Sequence, residues 1–124
     1  IRSLFPLDHF DRGERAYLVE GPLDAMWLHQ HGHASALATL GSNITRQQID
    51  WLRGNVTAVT LVFDNDEVGW RATDQLIGRL SQHGFHVSVV RLPSHVKDVQ
   101  ELSADEIEQA LSGARSALEL KLGV

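Results

Sequence analysis

Residues 59–70 read VTLVFDNDEVGW. The run from Val59 to Phe63 is apolar but for one threonine, and it stops abruptly at Asp64, Asn65 and Asp66, with Gly69 three residues further on. A near-continuous apolar run of this length is the pattern of a strand buried on both faces of a parallel sheet. Two carboxylates one residue apart at its end repel each other, unless a cation neutralises them or one stays protonated. This stretch therefore carries two expectations, a covered parallel sheet and a divalent ion at its edge.

Reading outward, the same alternation recurs. AYLVE (residues 16–20) is a strand candidate, followed by a helix over residues 22–32 with apolar Leu23, Met26, Trp27 and Leu28. Pro22 suits a first helical turn, where its missing N–H costs nothing, and Gly32 suits the end. SALATLG (residues 35–41) is a second strand candidate, and residues 42–54 form a helix with Ile44, Ile49 and Leu52 apolar. Thr45 and Gln48 have the spacing of a capping box. The third strand is residues 56–63, and the longest helix covers residues 67–84 with Val68, Ala72, Leu76 and Leu80 at helical spacing. HVSVVRL (residues 86–92) is a fourth strand, and helix closes the chain from residue 103 onward.

Strand and helix alternating with short turns predict an α/β, Rossmann-like fold: three layers, α/β/α, around a mainly parallel sheet of about four strands. The expected organisation is a lead-in segment over 1–15, one domain over 16–111 and a helical tail over 112–124. A start at Ile1 rather than Met reads as a piece of something longer. With 124 residues, 43% apolar and 22% charged, the chain has the length and balance of one globular domain. No apolar run is long enough to span a bilayer, so no membrane partner is expected. Cysteine is absent, which excludes disulfides and thiolate metal sites and fits a cytoplasmic location. A net charge of −5 argues against the domain being an electrostatic nucleic-acid binder by itself.

In open parallel sheets, function gathers at the carboxyl ends of the strands. The first strand ends in Glu20, then Gly21 and Asp24; the third in Asp64 and Asp66; the fourth leads to Asp98 and Glu101. Bringing Glu20 and Asp64 together would make the first and third strands neighbours. The expected ion is Mg²⁺, which takes oxygen ligands and keeps several waters, with Mn²⁺ able to substitute. Gly21 permits a sharp turn after Glu20, and Gly69 a close approach at the start of the long helix.

Each acid also has a plainer reading. Asp favours helix N-termini, so Asp24 is as well explained by capping as by a site role, and capping accounts for one of Asp64 and Asp66 but not both. Asp98 and Glu101 could be loop charges, and Lys97 a solvated lysine rather than a phosphate contact. His29, His31 and His33 straddle a helix end, where placing cations near the C-terminus explains them better than a metal does. Trp27 and Trp51 read as core. Trp70 reads as rim packing beside the acids, with stacking on a base as the sharper alternative, and Arg71 could pair with a carboxylate or a phosphate.

Four segments, VEGPLDAMWLHQHG, ATLGSNITRQQIDWL, VFDNDEVGWRA and LPSHVKDVQEL, occur in that order. Together they resemble the Toprim domain, most of all that of bacterial and phage DnaG-type primases, over residues 4–102. The resemblance implies that Glu20 is a general acid/base or metal ligand and that Asp64 and Asp66 are paired metal ligands. It makes Asp24 and Asp98 supporting acids, Asp98 among the ligands. It implies nucleotidyl transfer in RNA primer synthesis, with nucleoside triphosphates as substrates. Single-stranded DNA would be held through other domains, and a replicative helicase is a partner it leaves open. KDVQE departs from the family pattern, with Val99 and Gln100 where primases usually carry Pro and Asp. That removes one acid, so one ion would be weakly held or would bind only with nucleotide phosphates. Alternatives are a Toprim nuclease or topoisomerase-type domain, a degenerate Toprim binding module, and a signalling receiver domain using Glu20, Asp64 and Lys97. A topoisomerase would need a nucleophilic tyrosine, and the only one is Tyr17, inside the first strand.

Overall fold

In the computed structural model, which describes residues 4–7, 10, 13–41 and 43–122, the alternation becomes one sheet. The elements run β1 (Arg15–Val19), α1 (Pro22–Gln30), β2 (Ala36–Ala38), α2 (Arg46–Arg53), β3 (Ala58–Leu61), α3 (Glu67–Gln82) and β4 (His86–Val89). A 3₁₀ turn (Val99–Glu101), α4 (Ala104–Ser112), β5 (Arg115–Ser116) and α5 (Ala117–Leu122) complete the chain. Strand order is β2-β1-β3-β4-β5. β1 pairs in parallel with β2 and with β3, and β3 in parallel with β4, with Leu18 opposite both Leu37 and Leu61.

Alternate strand residues feed two cores. Ala16 and Leu18 of β1, Val59 and Leu61 of β3 and Val87 and Val89 of β4 face Ile49 and Leu52 of α2 and Ala72, Leu76 and Leu80 of α3. Val19, Ala36, Ala38, Val62 and Val90 face Ala25 and Leu28 of α1 and Ile107 of α4. This is the expected α/β/α layering, and it leaves the strand ends as the free edge on which a site can form.

The helix ends follow their chemistry. Thr45 Oγ1 accepts from Gln48 N at 3.1 Å while Gln48 Oε1 accepts from Thr45 N at 2.8 Å, which completes the capping box. Pro22 occupies the first turn of α1, and Gly32 follows its C-cap at φ 90°, a left-handed conformation suited to glycine.

Several expectations shift. α1 buries Asp24, Ala25 and Leu28, and leaves Leu23 and Met26 exposed. Its apolar residues lie all around the helix, so periodicity could not select the inner face. In α3 the inward series begins at Gly69, not at the exposed Val68. A fifth strand lies within the tail read as helical: Arg115 and Ser116 pair antiparallel with Val89 and Ser88 before α5 begins. Two residues carry no periodicity; their pairing depends on backbone groups at a sheet edge. At the opposite edge Phe5 bridges Ala38, and Leu4 is buried in the α2/α3-side core, so this part of the lead-in packs on the sheet. Residues 1–3, 8, 9, 11 and 12 of the lead-in, Ser42 of the LGSN segment and residues 123–124 lie outside the described residues. Among the described residues no helix is long and apolar enough to cross a membrane.

Candidate metal centre

The chain winds from β1 outward to β2 and from β3 the other way to β4, so the switch point lies between β1 and β3. There the connections diverge and open a crevice beyond the carboxyl ends. Glu20 follows β1 directly, and Asp64 lies three residues beyond β3.

Asp24, on the first turn of α1, is buried at 6% exposure. Its Oδ2 accepts weakly from Gly21 N at 3.4 Å, and its Oδ1 accepts from Gln100 Nε2 at 2.9 Å. Capping and site placement are thus not alternatives for this residue. Asp98 caps the 3₁₀ turn, accepting from Gln100 N at 3.0 Å. Asp24, Asp64 and Asp98 each offer a carboxylate oxygen, and the three oxygens lie within 4.8 Å of one another.

Asn65 brings the Asp98 loop to Asp64. Its N–H donates to Lys97 O at 2.6 Å, and its Nδ2 donates to Pro93 O and Val96 O, both at 3.0 Å. Sequence reasoning missed this strut; its only signal was an amide side chain between two acids. Gly69 brings α3 onto the same backbone. A Cβ on it would lie 2.0 Å from Asp64 O.

Asp66 is not one of the three acids whose oxygens converge, but its charge acts on both Glu20 and Asp64. It is the N-cap of α3, with Oδ1 accepting from Gly69 N at 2.8 Å. Asp66→Ala is expected to cost about 0.5–2 kcal/mol in urea unfolding and Asp66→Asn only a few tenths, since asparagine caps as well. Equal stability of both variants would exclude a structural cap.

The electrostatics fit a cation. Burial first, then the charges of Asp24, Glu20, Asp98 and Asp66, push the Asp64 carboxyl up to about 7. Burial and the Asp66 and Asp24 charges raise Glu20, against the Asp64 backbone and Lys97, which pull it down. Asp24 is also raised, by burial and Asp98, although its bonds from Gln100 and Gly21 oppose the shift. Oε1 of Glu20 is buried and has no hydrogen-bond partner among the described residues. A buried orphan oxygen beside three converging carboxylates is costly in a metal-free protein and is the donor set a hard cation takes. The residues present therefore fit a hard divalent cation of the Mg²⁺ kind.

The histidines, tryptophans and Arg71 have ordinary partners, and the Lys97 charge acts on Glu20. His29 Nε2 lies 2.8 Å from Ala36 O, His31 Nδ1 2.7 Å from Trp27 O and His33 Nε2 2.6 Å from Glu108 Oε1, so the three do not converge. Trp27 is half-buried, and its Nε1 donates to Leu102 O at 3.1 Å. Trp51 is half-buried too, edge-on to Phe10. Trp70 is 57% exposed, and its Nε1 donates to Asn65 Oδ1 at 3.1 Å. Arg71 pairs with Glu67 at 2.6 Å, not with the acids. Lys97 is exposed, and Glu101 accepts its backbone N–H at 2.6 Å.

Residues 17–103 match the Toprim-like family model. The chain belongs to the Toprim-like family. Among curated relatives, the DNA primase of Thermotoga maritima is 37% identical over 94 residues, covering 76% of this chain and 16% of its own length. That of Deinococcus radiodurans is 34% identical over 109 residues, 82% of this chain and 18% of its own. The chain thus spans less than a fifth of the length of these relatives. The Aquifex aeolicus primase structure, comprising zinc-binding and RNA polymerase domains, superposes with a TM-score of 0.77 at 26% identity, over 86% of this chain and 27% of its own.

Membership in the Toprim-like family sets the receiver reading aside. The geometry agrees: the fifth strand is antiparallel, where a receiver needs a functional lysine after its fifth strand, and Lys97 precedes β5. Tyr17 lies within β1, edge-on to the His33 ring with centroids 5.8 Å apart, and is not among the acids.

Proposed function

We propose that this Toprim-like chain holds the catalytic Mg²⁺ of a DnaG-type primase, for nucleotidyl transfer in RNA primer synthesis on single-stranded DNA. One observation carries the reading: the oxygens of Asp24, Asp64 and Asp98 converge at the switch point beside the unpartnered Glu20 Oε1. Its relatives named DNA primase support it.

Asp64, Asp24 and Asp98 would hold the ion, with Asp66 adding negative charge to the same crevice. A bound Mg²⁺ would supply Lewis-acid stabilisation of the charge on the reacting phosphate. Glu20 Oε1 has no partner to give up among the described residues, and its carboxyl binds a proton more tightly than an exposed one. It is suited to take the proton of the attacking ribonucleotide 3′-hydroxyl as pyrophosphate leaves. Asn65 and Gly69 keep Asp64 and the Asp98 loop in register while this occurs. Template binding is assigned to basic regions beyond this chain, because its own net charge is −5.

The test is a chimera in which this chain replaces the matching segment of the Thermotoga maritima primase. Primers made from nucleoside triphosphates on single-stranded DNA with Mg²⁺, and lost with Asp64→Asn, are the expected result. A folded chimera that binds Mn²⁺ but makes no primers would favour the degenerate binding module instead.

A further inference from the structure

Gln100 touches two of the three converging acids at once. Its side-chain Nε2 donates to Asp24 Oδ1 at 2.9 Å, and its backbone N–H donates to Asp98 Oδ1 at 3.0 Å. Asp24 and Gln100 are 76 residues apart in sequence, so this bond ties the start of α1 to the loop that follows β4. Trp27 Nε1, donating to Leu102 O, fastens the same two segments one helical turn further on. Asp24 is buried, whereas the Gln100 side chain reaches it from an exposed residue.

We infer that Gln100 is a positioning residue that fixes the Asp24 carboxylate against Asp98 and so sets the geometry of the ion site. This rests on the reading of the acids as a metal centre. An amide can donate where a carboxylate only accepts, so Gln100 supports an acid instead of adding a further charge to the cluster. Each carboxylate oxygen has two lone-pair directions, so the bond from Gln100 leaves Asp24 able to ligate. Supporting hydrogen bonds of this kind orient metal ligands, and their loss typically weakens metal binding about 10–100-fold.

The test compares wild type, Gln100→Met and Gln100→Ala, with Asp64→Asn as control. Mn²⁺ affinity is read by electron paramagnetic resonance of the free ion, and the Asp24 side-chain carboxyl by its ¹³C signal in metal-free buffer. Both Gln100 variants are expected to move the Asp24 signal and to weaken Mn²⁺ binding about 10–100-fold. Their metal-free melting temperatures are expected to fall by about 2–8 °C, because the buried Asp24 Oδ1 loses its donor, and both variants stay folded. Wild-type Mn²⁺ affinity in folded Gln100→Met and Gln100→Ala, with binding still lost in Asp64→Asn, would overturn this inference alone. No Mn²⁺ binding by the wild type would overturn the metal centre and this inference with it.

Discussion

Gly69→Ala is expected to destabilise the chain by about 3 kcal/mol or more, at the upper end of what overpacking costs. The added Cβ would lie 2.0 Å from Asp64 O, 2.8 Å from Asp64 C and 3.1 Å from Asp64 N. All three atoms are backbone, so no side chain can swing aside; either α3 lifts off or the Asp64 segment moves. Movement of α3 also pulls Gly69 N from its 2.8 Å bond to Asp66 Oδ1. The same helix contains its own control. A Cβ on Gly78 would meet nothing among the described residues within 4 Å. Gly78→Ala is therefore expected to stabilise by about 0.5–1 kcal/mol, because alanine loses less backbone entropy in a helix. Urea denaturation midpoints at constant slope measure both. Gly69→Ala matching wild type would show that α3 does not pass this close to Asp64.

Asp64→Asn is expected to have the largest effect on metal binding, beyond the roughly 10–100-fold that loss of a supporting residue costs. It also changes how stability depends on pH. The folded carboxyl titrates at about 7 against an ordinary value of 3.8, so between those values the folded state holds a proton that the unfolded state has released. Proton binding is then greater in the native state, and stability falls as pH rises. Metal-free wild type is accordingly expected to lose stability from about pH 4 to about pH 7. Glu20 and Asp24, both raised, contribute in the same direction. Mg²⁺ at pH 7 should restore the loss, because the ion replaces the proton. In Asp64→Asn the slope should flatten and Mg²⁺ should have little effect. Melting temperatures across this range, with and without Mg²⁺, make the comparison; an unchanged slope in the variant would refute the assignment of the titration to Asp64.

Most of the sheet was legible because its strands carry continuous apolar runs that end at acids or glycines. The pairing of β1 with β3 followed from requiring Glu20 and Asp64 to meet. β5 was not legible, since its two residues pair through the backbone alone. The inner face of α1 was hidden because Leu23 and Met26 are as apolar as the residues that it buries.

Within the site, the acids were legible as a set but not in their arrangement. Sequence spacing put Asp64 beside Asp66, whose charge acts on Asp64 and Glu20; that the oxygens of Asp24, Asp64 and Asp98 converge was not legible from spacing. The backbone turn at Asn65 directs Asp66 to the N-terminus of α3, where Oδ1 caps Gly69 N. Asn65 and Gln100 act through bonds to residues 28 to 76 positions away, which local sequence does not report.

The most direct test of the metal centre is a Mn²⁺ titration of the ¹⁵N-labelled chain, followed by paramagnetic line broadening. Broadening that appears first at Glu20, Gly21, Asp24, Asp64 and Asp98, and last at His29, His31 and His33, is the predicted result. Broadening that begins at the histidines, or none at millimolar Mn²⁺, would contradict it.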